Sequence, residues 1–152
     1  MQYFATQWKL VALRETPIAN LPIADNHDFC AQYWRENIAT SPDFSEERES
    51  LYVLHLNARK RVTGFNLVAH GTLDTILADA RSVFRNAIVA NASAIILMHN
   101  HPSGESAPSQ ADINVTRDLI RAGQLLKIEV VDHVIIGQGN HVSLKELNYF
   151  YS

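Results

Sequence analysis

The sequence has little of several features that define large classes of protein. Among its 152 residues there is one cysteine, Cys30, and no apolar run approaches the roughly 20 residues that a membrane-spanning helix needs. A single cysteine excludes an intramolecular disulfide framework and a cysteine-rich structural zinc site, so we expect Cys30 to be a small buried hydrophobic residue. The N-terminus also lacks the basic segment and apolar core of a secretory signal. We therefore expect a cytoplasmic protein with no membrane partner.

Positive charge is also scarce. The 13 lysine and arginine residues are outnumbered by 16 aspartate and glutamate residues, so the formal net charge is -3 and the pI is about 6.1. Proteins that bind duplex nucleic acid on their own usually present a basic face to the phosphate backbone. We therefore do not expect nucleic acid to be a partner of this chain as a stand-alone binder.

The sequence does contain alternating strand-like and helix-like segments. With 47% hydrophobic residues, a chain of this length can bury about two thirds of its unfolded surface in one globular domain. Helical spacing of apolar residues after Asp79, Ser109 and Ser143 predicts three helices that these residues cap, the last over residues 144–150. Short apolar runs complete a mixed α/β (α+β) pattern, because they predict buried strands at Leu51–Leu56, Val62–Ala69, Ser93–Met98 and Val130–Ile136.

The first 48 residues differ from the rest. Apolar residues alternate with others over residues 1–14, which predicts a strand on a sheet edge. After two prolines, Asp25 or Asn26 can cap a helix that carries an aromatic stripe. We expect this strand and helix to form an N-terminal extension, residues 1–48, packed on a domain that spans residues 49–152.

The most informative stretch begins at the end of the third predicted strand. His99 and His101 are two residues apart there, and because side chains alternate along a strand, both point the same way and can chelate one ion. Prolines and a glycine then interrupt regular structure, and Ser109 opens a helical pattern with Asp112 three residues later. One turn of helix can bring the Asp112 carboxylate beside the two imidazoles.

Two imidazoles and one carboxylate are ligands that suit zinc. Three protein ligands leave the fourth tetrahedral position for water, which is typical of catalytic rather than structural sites. The alternative is that the histidines only decorate a loop, while Ser109 and Asp112 form an ordinary capping box. The two interpretations are compatible, because Ser109 can cap the helix and still face a metal ion.

The stretch from His99 to Asp112 resembles the metal motif of the JAB/MPN (JAMM) metallohydrolases. Its His-Asn-His-Pro-Ser-Gly start, with Asp132-His133 downstream, is similar to the RadC-like branch of that family. The resemblance covers most of the chain and implies a JAB/MPN-like (cytidine-deaminase-like) sandwich, in which helices flank a central mixed sheet. It also implies one Zn2+ ion per chain, with His99, His101 and Asp112 as its ligands.

Two catalytic residues are implied by the same resemblance. The family's general base is a glutamate at the start of the first strand, and Glu49 matches that position. Glu46 and Glu47 also precede the strand, but only Glu49 directly adjoins it, so the sheet fixes its backbone. Ser109 corresponds to a hydroxyl that can donate a hydrogen bond to the developing oxyanion.

Two dipeptides are also shared with the family. Gly71-Thr72 resembles a Gly-Thr step that follows the second strand. Asp132-His133 does not fit the ligand spacing, so we expect it to support the site or the fold rather than to bind metal.

The implied reaction is zinc-dependent hydrolysis of a peptide or isopeptide amide, in which Glu49 activates the zinc-bound water. The substrate is expected to be a peptide or protein, but the motif does not imply its identity. Two alternatives remain open: a catalytically silent metal-binding or interaction module, and a DNA-repair-associated RadC-like protein. The complete ligand set counts against the first alternative, and the overall acidity counts against the second as a stand-alone binder.

Overall fold

The structure is a computed structural model that describes residues 1–9, 11–13, 15, 17–71 and 79–150. These residues form one five-stranded sheet with helices on both of its faces. The helices are α1 (His27–Tyr33), which continues into a π-helical segment (Trp34–Ile38), α2 (Ala80–Val89) and α3 (Gln110–Leu126). The strands are β1 (Ser50–Leu56), β2 (Val62–His70), β3 (Ala94–Asn100), β4 (Glu129–Ile136) and β5 (His141–Ser143). None of the helices described is both long and apolar enough to cross a bilayer.

The strand order β2-β1-β3-β4-β5 combines both kinds of pairing. β1 is antiparallel to β2 and to β3, β3 is parallel to β4, and β4 is antiparallel to β5. A parallel pair needs a crossover connection, and α3 lies in the connection between β3 and β4. The mixed α+β architecture predicted from the sequence is therefore confirmed, and it is consistent with a JAB/MPN-like fold.

Side-chain alternation divides the interior into two hydrophobic cores on opposite faces of the sheet. Even-numbered residues of β1 and β3 pack against α1 and the π-helical segment, and they include Tyr52, Leu54, Leu56, Ile96 and Met98. Odd-numbered residues pack against α2 and α3, and they include Leu51, Val53, Ile95 and Leu97. His99 and His101 continue the odd-numbered series, so they lie on the side of the sheet that α3 covers.

The predicted N-terminal helix is confirmed as α1, and Asn26 rather than Asp25 caps it. The Asn26 side chain accepts a hydrogen bond from the Phe29 backbone N–H at 2.8 Å. The π-helical segment buries Trp34, whose ring meets Tyr52 edge-on with the ring centroids 5.5 Å apart. This contact joins the helix to the sheet, while the domain boundary after residue 48 stays a prediction.

The strand predicted near the N-terminus is wrong for the residues that the structure describes there. Residues 1–9 and 11–13 contain no strand, and the exposed fractions of Tyr3, Phe4 and Trp8 are 83%, 81% and 80%. Alternation produces a strand only where a sheet edge offers hydrogen-bonding partners, and the residues described in this segment form no ladder. The remaining residues of the pattern, at positions 10 and 14, lie outside the described ranges.

The predicted terminal helix is also wrong, since residues 144–150 form consecutive turns. Ser143 still acts as a cap, because its Oγ accepts a hydrogen bond from the Glu146 backbone N–H at 3.1 Å. Asn148 then adopts a φ of 65°, and this left-handed conformation interrupts helical geometry. The segment is nevertheless anchored to the fold, because Leu144 is fully buried.

Gly123 lies in α3 where the helix approaches the backbone at the start of β4. A Cβ atom at this position would collide with the Ile128 carbonyl oxygen and would lie 3.3 Å from side-chain atoms of Phe84 and Val130. The helix continues past this glycine and ends at Lys127, which has a φ of 59°. Glycine is therefore required here by close packing rather than by helix termination.

We expect Gly123→Ala to destabilise the fold by about 1–3 kcal/mol, because the added methyl group meets backbone that cannot rotate away. This loss outweighs the roughly 1 kcal/mol by which alanine favours a helix over glycine. Urea unfolding followed by circular dichroism measures the difference. Gly64→Ala is the matched control and should lose no stability, since no heavy atom lies within 4 Å of its added Cβ. A Gly123→Ala variant as stable as wild type would contradict the packing argument.

Candidate metal centre

Three elements bring polar side chains to one edge of the sheet. β3 leads through His99 to His101, and the N-terminal turn of α3 carries Asp112. In the antiparallel pairing of β1 with β3, Leu51 lies opposite His99. Extending this register by two residues places Glu49 opposite His101, on the same face. We call Glu49, His99, His101 and Asp112 the primary site.

The facing atoms of the primary site lie at the spacing of metal ligands. His99 Nε2 and His101 Nε2 are 3.0 Å apart. Asp112 Oδ1 is 3.3 Å from the first nitrogen, and Asp112 Oδ2 is 3.3 Å from the second. Glu49 Oε1 lies 3.4 Å from His99 Nε2 and 3.6 Å from His101 Nε2. Atoms bound tetrahedrally to zinc at about 2.0–2.2 Å lie about 3.3–3.6 Å from one another, so these residues could hold one metal ion.

A hydrogen bond determines which ring nitrogen of His101 faces the centre of the site. His101 Nδ1 lies 2.8 Å from the Glu105 carbonyl oxygen. A carbonyl oxygen only accepts, so Nδ1 carries the proton, and in the neutral ring Nε2 presents its lone pair. Nε2 is the nitrogen that faces His99 and Asp112.

A buried chain of hydrogen bonds orients the His99 ring in the same way. The Thr116 hydroxyl donates to the Asp112 carbonyl oxygen at 2.6 Å, so it accepts from His133 Nδ1, also at 2.6 Å. A neutral His133 then has its lone pair on Nε2, which accepts from His99 Nδ1 at 2.7 Å. His99 Nε2 is left with a lone pair that faces the site, which is the tautomer that metal binding requires.

Burial favours the neutral rings on which this chain of hydrogen bonds depends. His99 and His133 are both fully buried. Burial lowers the pKa of His99, although the hydrogen bond and attraction that the protonated ring would gain from Asp112 oppose this shift. Burial, together with the neighbouring His99, holds the pKa of His133 well below its usual value. Both rings are therefore neutral near pH 7.

The Asp112 carboxylate supplies the negative charge of the site. Burial raises the pKa of Asp112, but the stabilisation that the carboxylate gains from the His101 and His99 rings when they are protonated outweighs burial and places the pKa well below its usual range. Donation from the protonated His101 ring to Asp112 is likewise the main cause of a raised pKa for His101. An ionised carboxylate and two converging Nε2 atoms attract a cation, and this mixed nitrogen and oxygen donor set fits zinc.

Ser109 caps α3 beside the primary site. Its Oγ accepts a hydrogen bond from the Asp112 backbone N–H at 3.1 Å, and the Asp112 carboxylate accepts one from the Ser109 backbone N–H at 2.8 Å. The capping box considered from the sequence is thus present together with the cluster of metal-ligand side chains. A hydroxyl that accepts one hydrogen bond can still donate its own proton, and Ser109 is exposed to solvent.

The backbone around Glu49 is held from both sides. The Asn100 side chain donates to the Arg48 carbonyl oxygen at 3.0 Å and accepts from the Ser50 N–H at 2.9 Å. The Glu49 carbonyl oxygen accepts from the Gly71 N–H at 2.7 Å. These bonds fix the direction of the Glu49 side chain, which is only 12% exposed.

The other two glutamates considered from the sequence lie elsewhere. Glu46 and Glu47 are exposed in the turn that precedes β1, whereas Glu49 reaches both histidines. Asn100 holds the backbone around Glu49 although no motif in the sequence assigns it that role; its position between two ligand-type histidines is the one local signal for it. Of the Gly71-Thr72 step, Thr72 lies outside the described residues.

The two residues of the Asp132-His133 pair make different contacts. His133 contacts the ligand-type ring of His99, as described above. Asp132 accepts hydrogen bonds from the Ser143 hydroxyl at 2.6 Å, from the His133 N–H at 2.7 Å and from the Lys145 N–H at 3.2 Å. Burial raises the pKa of Asp132 against the effect of these bonds. Asp132 thus joins β4 to the segment that follows β5.

We expect His133→Phe to weaken zinc binding by about 10–100-fold, the usual cost of losing the partner that orients a ligating histidine. Phenylalanine fills similar space but cannot accept the His99 Nδ1 proton. Competition with a chromogenic chelator measures the affinity. The control is His55→Phe. His55 is another buried histidine, which lies near the end of β1 that is far from Glu49 and is hydrogen-bonded to Asn66 at 2.8 Å. Equal losses of affinity in both variants would show a general effect of destabilisation instead.

Comparison with known proteins points to one family. The family model described as RadC-like JAB domain matches residues 25–149. A UPF0758 protein of Moorella thermoacetica is 51% identical over 102 residues, which cover 67% of this chain and 44% of the relative. A UPF0758 protein of Caldanaerobacter subterraneus is 45% identical over 103 residues, or 68% of this chain and 44% of the relative. The chain therefore spans less than half the length of these curated relatives.

Proposed function

We propose that this chain, which belongs to the RadC-like JAB domain family, is a zinc-dependent metallohydrolase that cleaves an amide bond in a peptide or protein. The observation that carries this proposal is the convergence of two Nε2 lone pairs and two carboxylates at the spacing of zinc ligands. The family match adds the expectation of a JAMM-type reaction. The proposed catalytic unit spans residues 49–152, with residues 1–48 as an extension that packs on it through α1 and the π-helical segment.

In this proposal His99, His101 and Asp112 hold one zinc ion. Zinc supplies Lewis acidity, which makes water a nucleophile near neutral pH and polarises a carbonyl group. The hydrogen bonds of His99 to His133 and of His101 to Glu105 keep both rings in the orientation that binding needs.

Glu49 is the proposed general base. Its Oε1 lies between 3.4 and 3.6 Å from both histidine nitrogens, so a water held at the centre of the site is within reach of this carboxylate. The carboxylate can accept a proton from that water and later pass it to the leaving amine. The backbone bonds of Arg48 and Ser50 to Asn100 hold Glu49 in place for both transfers.

Ser109 is the proposed donor to the oxyanion. Its hydroxyl stands at the exposed N-terminus of α3, one helical turn from Asp112. There it can donate a hydrogen bond to the substrate carbonyl oxygen as negative charge develops. The backbone bonds of the capping box hold the residue against the same turn that carries the metal ligand.

A library of peptides prepared from digested bacterial protein provides a test that requires no known substrate. The zinc-loaded protein is incubated with the library, and new N-termini are identified by mass spectrometry. We expect new termini with wild type and none after zinc is removed by a chelator. Bound zinc without any cleavage, in this library and with isopeptide-linked probes, would favour a catalytically silent binding module instead.

A further inference from the structure

A second group of metal-ligand side chains lies on the opposite side of the sheet from the primary site. His27 and Asp28 are the first two residues of α1, and His141 is the first residue of β5. The His141 Nε2 atom lies 3.0 Å from His27 Nδ1 and 3.0 Å from Asp28 Oδ1. The third side of this triangle, from His27 Nδ1 to Asp28 Oδ1, is 3.6 Å long. We call these three residues the second cluster.

Hydrogen bonding alone does not account for this geometry. His141 Nε2 carries at most one proton, so it can donate to His27 or to Asp28 but not fully to both. The three atoms nevertheless lie close together. Two sides of their triangle are about 0.3 Å shorter than the spacing of about 3.3–3.6 Å expected for ligands around one zinc ion, and the third side falls within that range. Two imidazoles and one carboxylate are also the donor set of the primary site.

We propose that the second cluster is a binding site for a divalent transition-metal ion, and zinc is one of the ions that its donors suit. The ligand atoms are His27 Nδ1, Asp28 Oδ1 and His141 Nε2. Imidazole donors select zinc, copper or nickel over magnesium and calcium, which prefer oxygen donors. An ion held there ties α1 to β5, two elements that are 114 positions apart in the sequence.

The surroundings of the second cluster support this assignment. The side chains of His27 and His141 are 32% and 21% exposed, so an ion can enter from solvent without opening the fold. The Glu146 carboxylate lies 3.8 Å from His27 Nε2, the ring nitrogen that faces away from the cluster. At this distance the contact is electrostatic rather than a hydrogen bond, and the carboxylate adds negative charge beside the cluster, which attracts a cation.

Zinc titration of the full chain tests the proposal, with zinc alone as the probe and a chromogenic chelator as competitor. We expect wild type to bind about two equivalents, of which the one at the second cluster is the weaker, because the Asp28 side chain is 79% exposed and must be ordered on binding. His141→Ala should bind about one equivalent and keep the tight one. An excess of magnesium should leave both equivalents in place.

Two carboxylate variants sharpen the test. Asp28→Asn should weaken the second equivalent by about 10-fold or more, as expected when a ligand loses its charge. Asp118→Asn is the matched control, since the side chain of Asp118 is 77% exposed and pairs with Arg121 on α3, so both equivalents should be unchanged. Circular dichroism verifies that each variant is folded.

The possible outcomes separate this site from the primary site. If His101→Ala loses the tight equivalent and keeps the weak one, both assignments stand. If His141→Ala and Asp28→Asn both bind as much zinc as wild type, the second cluster is not a metal site, whatever the primary site does. If His27→Ala retains the weak equivalent when His141→Ala loses it, the proposed ligand set is wrong.

Discussion

His101→Ala is expected to remove the zinc that wild type retains through dialysis. The imidazole of His101 supplies one of three proposed protein ligands, and alanine leaves His99 and Asp112 facing solvent on that side. Losing an orienting partner of a ligand already costs about 10–100-fold in affinity, so losing the ligand itself should cost at least about 100-fold. Elemental analysis after dialysis in chelator-free buffer measures the zinc that remains.

The control for this experiment is His141→Ala, which removes a histidine of comparable exposure. The side chain of His101 is 15% exposed and that of His141 is 21% exposed, so the two substitutions remove imidazoles of similar burial. His141→Ala should retain the dialysis-resistant zinc, because His141 belongs to the second cluster. Undiminished zinc in His101→Ala would overturn the assignment of the primary site.

The local parts of the primary site could be anticipated because they depend on short spacings. Alternation along a strand places His99 and His101 on one face, and a capping box places Asp112 one turn after Ser109. Neither relation requires knowledge of the rest of the fold. The structure brings Asp112 within 3.3 Å of both rings, as this spacing predicts.

The supporting contacts could not be anticipated in the same way, because they depend on the packing of distant elements. The bond between His133 and Thr116 joins β4 to α3, and the bonds between Asn100 and the backbone around Glu49 join β3 to the start of β1. The second cluster is an extreme case, since its two histidines are separated by 114 positions. A pattern search over one stretch of sequence does not detect such pairs.

The two incorrect predictions have a related cause. Local alternation over residues 1–14 and a capping serine at Ser143 are both real features of the sequence. A strand also needs a partner edge, and a helix also needs several consecutive residues with right-handed backbone angles. Neither condition is met in the described residues, because no ladder forms near the N-terminus and Asn148 is left-handed.

Glu49 differs from the three proposed ligands in what its substitution should change. His99, His101 and Asp112 supply the two nitrogens and one carboxylate that suffice for a catalytic zinc site. The Glu49 side chain approaches the same centre from β1, and its backbone is held independently through Asn100 and Gly71. Replacing its carboxylate by an amide keeps the shape and these backbone bonds but removes the proton acceptor.

Glu49→Gln is therefore expected to retain the dialysis-resistant zinc and to lose amide hydrolysis by a factor of about 10² or more. The measurement pairs elemental analysis with the rate of appearance of new N-termini from the peptide library. Glu46→Gln and Glu47→Gln remove the same charge from the exposed turn before β1, so both should cleave at the wild-type rate. Normal turnover by Glu49→Gln would show that another group accepts the proton. Loss of zinc from this variant would instead make Glu49 a fourth ligand, which the 3.4 Å spacing from His99 Nε2 also allows, and the base would have to be sought elsewhere.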